Sequence, residues 1–573
     1  MAKLAKSELR IALDRCRGPL FAAMGFSFFI NILLLISPLY MMQVYDRVLT
    51  SRSENTLWLL TLIAVALLLM MGLLEIVRSR VLVRVGAYFD HQMSSRLFTA
   101  VFERQLRLPR AHRAQPLNDL NTVRQFMTGA GLFVFFDIPW APVFLIFLYF
   151  VHPLLGMITL IGGAIMLAMA IASELLTRRK LERASVDSIA GTYFAETSLR
   201  NAEALEAMGM LRAIRARWLQ RHDRVLALQA QASDWAGLLS GLSKFLRNTL
   251  QTALLGGGAY LAIKGEISPG MMIASSIIGG KALAPIDLAV GGWGGVVSAR
   301  LAYRRLEDLF RTVPPRRSGM DLPPPTGQIS LENAFAVPPG AQLPTLRGVS
   351  FTIEAGEAIG IIGPSAAGKS TIARLMVGVW PAISGKVRMD GADIATIPRD
   401  RIGPYIGYLP QDIELFDGTI AENIARFGEI DAVAVVQAAR RAGVHDMILR
   451  FPAGYDTPIG EAGGQLSGGQ KQRMGLARAL YGDPALLIFD EPNSNLDDEG
   501  EATLIDAIRQ LKAAGKTVVI IAHKPSVLIN VDKIMVVRDG QIAVFGPRAE
   551  VLAQFTRPVV AHSMPNPMAQ SGG

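Results

Sequence analysis

A single cysteine, Cys16, stands in a chain of 573 residues. One thiol cannot close an intrachain disulfide or build a thiolate metal cluster. Charge is scarce as well: 18% of residues are Asp, Glu, Lys or Arg and 51% are hydrophobic, whereas ordinary soluble domains carry about 25% charged residues. That balance excludes a disordered chain, a collagen, a small disulfide scaffold and a purely soluble protein. The scarcity is uneven, because the charge-free runs lie almost entirely before residue 300 and the second half has the composition of a globular domain. The length allows roughly three or four domain-sized units. The net charge of +10 would suit nucleic acid or anionic lipid. Membrane proteins, however, gather Lys and Arg on their cytoplasmic loops, so the expected partner is a lipid bilayer and no nucleic acid.

The apolar runs define a membrane half. Gly18 to Tyr45 carries no charge and is long enough to cross a hydrocarbon core of about 30 Å. No small-residue cleavage site follows it, so it reads as an anchor and not as a removed signal peptide. Leu57 to Leu74 is a second run, of 18 residues. Between Arg124 and Glu174 the only formal charge is Asp137, and His152-Pro153 divides that stretch in two, since proline restricts the residue before it. Asn248–Ile263 and Ile267–Ala299 complete a count of six spans. Segment 78–124 holds nine arginines against three acids, 174–247 holds twelve Lys and Arg, and the opposite loops hold only Arg47, Arg52 and Lys264. The long basic loops and both termini are therefore expected to be cytoplasmic. The stretch 199–231 reads as continuous helix extending below the membrane.

Arg311 to Gly327 has five prolines in 17 residues and reads as a linker. The expected organisation is a cytoplasmic flank at 1–18 and a six-helix transmembrane domain with long cytoplasmic extensions at 19–310. The linker at 311–327 follows, then a second domain at 328–555 and a disordered tail at 556–573.

The second domain carries the chemistry. Gly363-Pro364-Ser365-Ala366-Ala367-Gly368-Lys369-Ser370-Thr371 is a phosphate loop between a β-branched strand and a helix start. Its glycines let backbone N–H groups turn onto phosphates, and the helix N-terminus adds partial positive charge. Lys369 is expected to reach the β- and γ-phosphates of ATP, and the Ser370 hydroxyl to ligate Mg²⁺. An apolar strand, Leu486 to Phe489, ends in Asp490-Glu491. Asp490 is expected beside Mg²⁺ and Glu491 as general base for the attacking water, where the bland alternative is an ordinary helix cap.

Leu466-Ser467-Gly468-Gly469-Gln470 introduces an apparent helix, with Gln411, Asp497 and His523 at their own positions around it. This set resembles the ATPase domain of ABC transporters and covers the whole second half. The resemblance implies an α/β P-loop nucleotide-binding domain fused to an α-helical membrane domain of exporter type. It implies a homodimer in which the signature loop of one subunit closes on the ATP held by the other. Gln411 would sense Mg²⁺ and the attacking water, His523 the γ-phosphate, and Asp497 would link the two sites. One position departs from the family: Val337-Pro338 stands where an aromatic residue usually stacks on adenine, with Phe335 as a substitute.

The membrane segments LLLISPLYMMQVYDRVLTSRSENTL, FFDIPWAPVFLIFLYFVHPLLG and KALAPIDLAVGGWGGVVSAR resemble the permease/ATPases of type I secretion systems, nearest the alkaline-protease secretion (PrtD) branch. From the short N-terminal flank, no peptidase-like domain of the kind related exporters carry is expected. The resemblance implies ATP-driven export of unfolded, repeat-rich polypeptides with a C-terminal signal across the bacterial inner membrane, with a periplasmic adaptor and an outer-membrane channel as partners. Two alternatives stay open. A lipid or small-molecule exporter would need no accessory proteins, and a membrane-tethered regulatory ATPase would act with its membrane path blocked. Asp137 reads as an interfacial residue beside an anchoring Trp140, Asp46-Arg47 as an outer-loop pair, and Lys281 and Asp287 as a polar path or the exit of the last span. The methionine pairs read as packing.

Overall fold

The computed structural model describes residues 8–107, 115–315, 322–460, 463, 466–522 and 524–555. His523, residues 108–114 and the expected tail at 556–573 lie outside the described residues. The chain divides into two compact units, Met1–Gln105 with Arg110–Pro315, and Leu106–Pro109 with Arg316–Gly573.

The first unit is helical. Its main elements are α1 (Glu8–Arg15), α2 (Arg17–Leu33), α3 (Ile36–Gln43), α4 (Glu54–Arg107), α5 (Gln115–Thr128) and α6 (Ala130–Asp137). They continue with α7 (Ala141–Val151), α8 (Pro153–Arg200), α9 (Leu211–Ile263) and α10 (Pro269–Thr312). At 1.5 Å per residue, the 54 residues of α4 reach about 80 Å, more than twice the thickness of a hydrocarbon core. Five described stretches are long and apolar enough to cross a membrane: Arg17–Ser51, Glu54–Arg107, Gly131–Val151, Pro153–Arg200 and Pro269–Thr312. The fifth expected span, at the end of α9, is not among them. Its uncharged part is 16 residues, and it is held by packing: Leu254 and Leu261 are buried with Leu155 of α8. Glycines make this possible. A Cβ on Gly162 would lie 2.2 Å from Leu250, and one on Gly279 would lie 2.2 Å from Leu254.

The break at His152-Pro153 occurs as expected. His152 is extended, and its ring nitrogen accepts the N–H of Leu154 to open α8. Two further breaks depart from the sequence reading. A 3₁₀ turn, Ile138–Trp140, splits the third span at Pro139. The stretch 199–231 is not one helix, because it stops at Arg200, forms a short helix Ala202–Ala207 and restarts at Leu211. Gly209 supplies the reason: its φ of +63° is left-handed, a conformation glycine adopts without a Cβ penalty. The last helix of this unit also runs to Thr312, two residues past the expected boundary at 310.

Charges inside the unit are paired across helices. Asp137 is not simply interfacial. Its carboxylate accepts from Asn31 at 3.0 Å and from Arg78 at 3.3 Å. Arg78 is 7% exposed, also donates to Ser27, and lies 4.5 Å over the ring of Phe133. Asp46, within a π-helical turn Val44–Val48, accepts from Ser268 Oγ and from the Gly270 N–H at 2.8 Å. It thereby caps the start of α10. Asp287 accepts from Ser243 at 2.8 Å and faces Arg247, joining α10 to α9.

The second unit is α/β. Its strands are β1 (Ile329–Ala336), β2 (Leu346–Ile353), β3 (Ala358–Ile362), β4 (Ser384–Met389) and β5 (Ala392–Asp393). The remainder are β6 (Ile406–Leu409), β7 (Leu486–Asp490), β8 (Thr517–Ile521), β9 (Lys533–Arg538) and β10 (Gln541–Pro547). One sheet has the order β2-β1-β4-β5 and the other β10-β9-β3-β8-β7-β6. In the larger sheet β3, β8, β7 and β6 run parallel. Every residue of β7 and β8 is buried, as parallel strands covered on both faces require. Helices α11 (Lys369–Met376), α12 (Gly468–Leu480) and α13 (Asp498–Ala513) complete the framework. Parallel pairing brings the carboxyl ends of β3 and β7 to one edge, where open α/β sheets bind ligands.

Removing one partner of a buried ion pair costs about 3–5 kcal/mol, while removing both costs far less. Asp137→Asn is therefore expected to lower thermal stability in lipid nanodiscs clearly more than the Asp137→Asn/Arg78→Met double variant does.

Candidate functional site

Strand β3 leads into a loop that only particular backbone conformations can form. Gly363 has φ +153°, and a Cβ there would lie 2.2 Å from the carbonyl oxygen of Val537. Gly368, at φ +105°, caps the N-terminus of α11. Ala366 takes φ +63° without being glycine, a strain of the kind that accumulates at ligand-binding loops. Pro364, Ser365 and Ala366 are exposed, while Ala367, Lys369 and Thr371 are buried. The Lys369 ammonium donates to the carbonyls of Gly363 and Pro364, each at 2.9 Å. Burial draws its pKa below the usual lysine value, and the carboxylates of Glu491 and Asp490 oppose that shift.

Strand β7 delivers the acids. Asp490 is fully buried and accepts from Ser370 Oγ at 3.1 Å, while its second oxygen has no hydrogen-bond partner. Burial pushes its carboxyl above the ordinary carboxylate value, and the Ser370 bond pulls against this. Glu491 follows at φ +53°, with its N–H on the carbonyl of Ile521 and its carboxylate accepting from Gln411 Nε2 at 3.0 Å. Phosphate loop, Ser370, Asp490, Glu491 and Gln411 thus meet at one sheet edge.

The glycine-rich segment before α12 lies elsewhere. Ser467 caps the helix by a capping box with Gln470, at 3.3 Å to the Gln470 N–H and 2.9 Å in return. Gly469 has no room for a side chain, because a Cβ would lie 2.8 Å from the Asn495 carbonyl oxygen. Asp497 caps α13 through the Gly500 N–H at 2.9 Å and is held by Arg473 at 3.3 Å. No described hydrogen bond joins Ser467, Gly468, Gly469 or Gln470 to the phosphate loop. Phe335 packs in the antiparallel sheet against Gly348, and Thr345 and Leu346 are the residues that face Gly368 of the phosphate loop.

Comparison with known proteins places this geometry. Residues 346–494 match the ABC transporter family model and residues 20–278 the ABC transporter transmembrane region. The chain is 42% identical over 550 residues to the type I secretion system ATP-binding protein PrsD of Rhizobium meliloti, covering 96% of this chain and 94% of that protein. The chain belongs to the ABC transporter family. The transporter is also 30% identical to the exotoxin translocation ATP-binding protein PaxB of Pasteurella aerogenes, over 96% of this chain and 79% of that one. It is 31% identical to the leukotoxin translocation ATP-binding protein LktB of Mannheimia haemolytica, over 92% and 75%. A bacterial Atm1-family ABC exporter with ATP bound shares the fold, with a TM-score of 0.79 at 23% identity, over 94% of this chain and 96% of that one. The protein is a multi-pass membrane ATPase that binds ATP and couples its hydrolysis to transport.

Several residues of this transporter's site escaped sequence reasoning. Arg473 lies one helical turn beyond Gly469, on the same face of α12, and that spacing could have pointed to it. Gln472, 2% exposed, donates to the Pro492 carbonyl at 2.8 Å and ties α12 to the loop after Glu491. Glu501 takes Lys524 at 2.8 Å and also Ser526, gripping the chain just after position 523. Nothing in the local pattern around Glu501 signals that contact.

Stacking a base on an aromatic ring is worth about 1–3 kcal/mol. The family resemblance implies that Val337-Pro338 stands where an aromatic would stack, so Val337→Tyr is expected to lower the KM for ATP by about fivefold or more. The parent should accept GTP nearly as well as ATP, which steady-state hydrolysis in lipid would check.

Proposed function

We propose that the transporter is the engine of a type I secretion system, exporting unfolded polypeptides across a bacterial inner membrane as a homodimer. The observation that carries this reading is near-full-length likeness, through both membrane and ATPase halves, to a type I secretion ATP-binding protein at 42% identity. The toxin-translocation relatives support the same cargo class. The expected cargo is a repeat-rich protease, lipase or similar protein with a C-terminal signal. A periplasmic adaptor and an outer-membrane channel would extend the path. Six spans, with α9 supplying the fifth, would place the ATPase unit and both termini in the cytoplasm.

The site residues take distinct roles in this reading. Backbone N–H groups of Gly363–Thr371 hold the phosphates, and Lys369 exchanges its own-loop carbonyls for the β- and γ-phosphate oxygens. Ser370, Asp490 and Gln411 would hold Mg²⁺. The unpartnered, buried oxygen of Asp490 beside a serine hydroxyl is an oxygen donor set suited to a hard divalent cation. The ion would neutralise charge on the phosphates. Glu491 accepts the proton of a water whose oxygen attacks the γ-phosphorus as the bond to the β-phosphate oxygen breaks, giving ADP and phosphate. Gln411, bonded to Glu491, would orient that water, and His523 is expected to sense the γ-phosphate. Ser467, Gly468, Gly469 and Gln470 of one copy would close on the nucleotide of the other, and Asp497 would link the two sites.

ATPase activity of the full chain in lipid, with and without an unfolded C-terminal segment of a repeat-rich secreted protein, tests the cargo. A saturable, segment-specific change in rate is expected. Stimulation by lipids or drugs alone would favour the flippase or small-molecule reading. Glu491→Gln should lower turnover by roughly 10²–10⁴-fold. Asp490 has its charged form disfavoured by folding, so Asp490→Asn is expected to raise thermal stability without nucleotide. In the same variant, the stabilisation that Mg²⁺-ATP confers on the parent should disappear.

A further inference from the structure

Gln411 sits on a segment that is gripped from behind by α12, the helix that begins at Ser467. Arg426 is the main grip. Its guanidinium donates to four backbone carbonyls: Arg478 at 3.0 Å and Ala479 at 3.1 Å, in the last turn of α12, and Gly403 at 3.0 Å and Ile406 at 3.1 Å, at the start of β6. The last carbonyls of a helix lack intrahelical partners, and a cation there also meets the negative end of the helix dipole. Burial lowers the guanidinium pKa to about 10, which leaves it charged near neutrality. Arg426 and Phe427 both adopt φ +57°, a left-handed pair of non-glycine residues.

The far side of Gln411 is held by the same helix. Arg478 donates to the Glu414 carbonyl at 3.1 Å and lies 5.5 Å over the ring of Phe416. Between these grips Gly475 leaves room for Leu409 and Ile413, which a Cβ there would approach to within 3.0 Å. At the other end of the segment, Arg399 donates to Val377 at 2.8 Å and to Gly378, the carbonyls that follow α11.

We propose that Arg426 is a positioning residue for ATP hydrolysis: it makes the signature helix and the Gln411 segment move as one body. When Ser467 closes on a partner's nucleotide, the shift of α12 is thereby delivered to Gln411 and so to its contact with Glu491. The inference rests on the site roles proposed above. The Arg426 guanidinium is spent on four backbone carbonyls outside the phosphate loop, so its loss is expected to change turnover and to leave ATP binding at the phosphate loop intact.

The test uses the full chain in lipid nanodiscs. Arg426→Met, which keeps the apolar stem, is expected to lower kcat by about tenfold or more, with KM for ATP within about twofold of the parent. Arg426→Lys, which keeps the cation but not the fork, should recover little of that loss. Unchanged kcat in the Met variant, or a KM that rises in step with the fall in kcat, overturns the proposal. Should Arg426→Met fail to fold, hydrogen exchange decides on the Lys variant. In the parent, a non-hydrolysable ATP analogue should protect 403–414 and 474–481 together. The Lys variant should lose protection at 403–414 only, and equal protection in both segments overturns the proposal. Glu491→Gln run alongside separates the two readings. If it keeps the parent rate, the site roles fail; if it is inactive while Arg426→Met is normal, the positioning role alone fails.

Discussion

Charge held away from water organises the ATPase unit. The Lys369 ammonium and the Asp490 carboxylate are both buried at the carboxyl edge of one parallel sheet, and an isolated charge there would be prohibitively costly. Each is therefore kept by short-range partners: the carbonyls of Gly363 and Pro364 for the lysine, and Ser370 for the aspartate. Those partners demand a loop that turns back on itself, which explains Gly363 and Gly368 and the strained Ala366 and Glu491. The second oxygen of Asp490 is buried without a hydrogen-bond partner. A site built in this way responds strongly to a polyphosphate, because the ligand replaces interactions already oriented toward it.

The membrane unit obeys the same rule with different materials. Polar groups in apolar surroundings stay only where a neighbouring helix answers them. Arg78 with Asp137, Asp46 with the start of α10, and Asp287 with Ser243 each bridge two different helical elements. These contacts join spans that Leu and Ile alone would join without preferred register. Glycines at 162 and 279 work alongside them by letting α9 approach its neighbours closely, the small-residue packing that substitutes for hydrophobic drive in lipid.

Arginine recurs as a connector in the ATPase unit. Arg399, Arg426, Arg473 and Arg478 each join elements that the chain order keeps apart. Its planar, multi-donor head suits carbonyls and carboxylates that converge from several directions, which a lysine cannot match. Two of them, Arg426 and Arg478, hold the segments on either side of Gln411 to α12. The residues that would contact nucleotide are thus mounted on a frame and not on free loops.

Local chemistry was readable from the chain alone. The phosphate loop and Asp490-Glu491 are contiguous patterns whose spacing follows from strand and helix geometry, and the Ser467–Gln470 segment is legible through its resemblance to ABC ATPases, so ATP chemistry was legible without coordinates. The break at His152-Pro153 was legible for the same reason, because proline acts on its immediate neighbours. Gly209 was also in view, yet its effect on 199–231 depends on a left-handed turn that composition does not announce. Tertiary structure alone decided that Asp137 faces Arg78, that α9 is held by packing more than by hydropathy, and that Arg426 reaches four carbonyls. Pairing between distant residues depends on register and helix rotation, and a single sequence records neither.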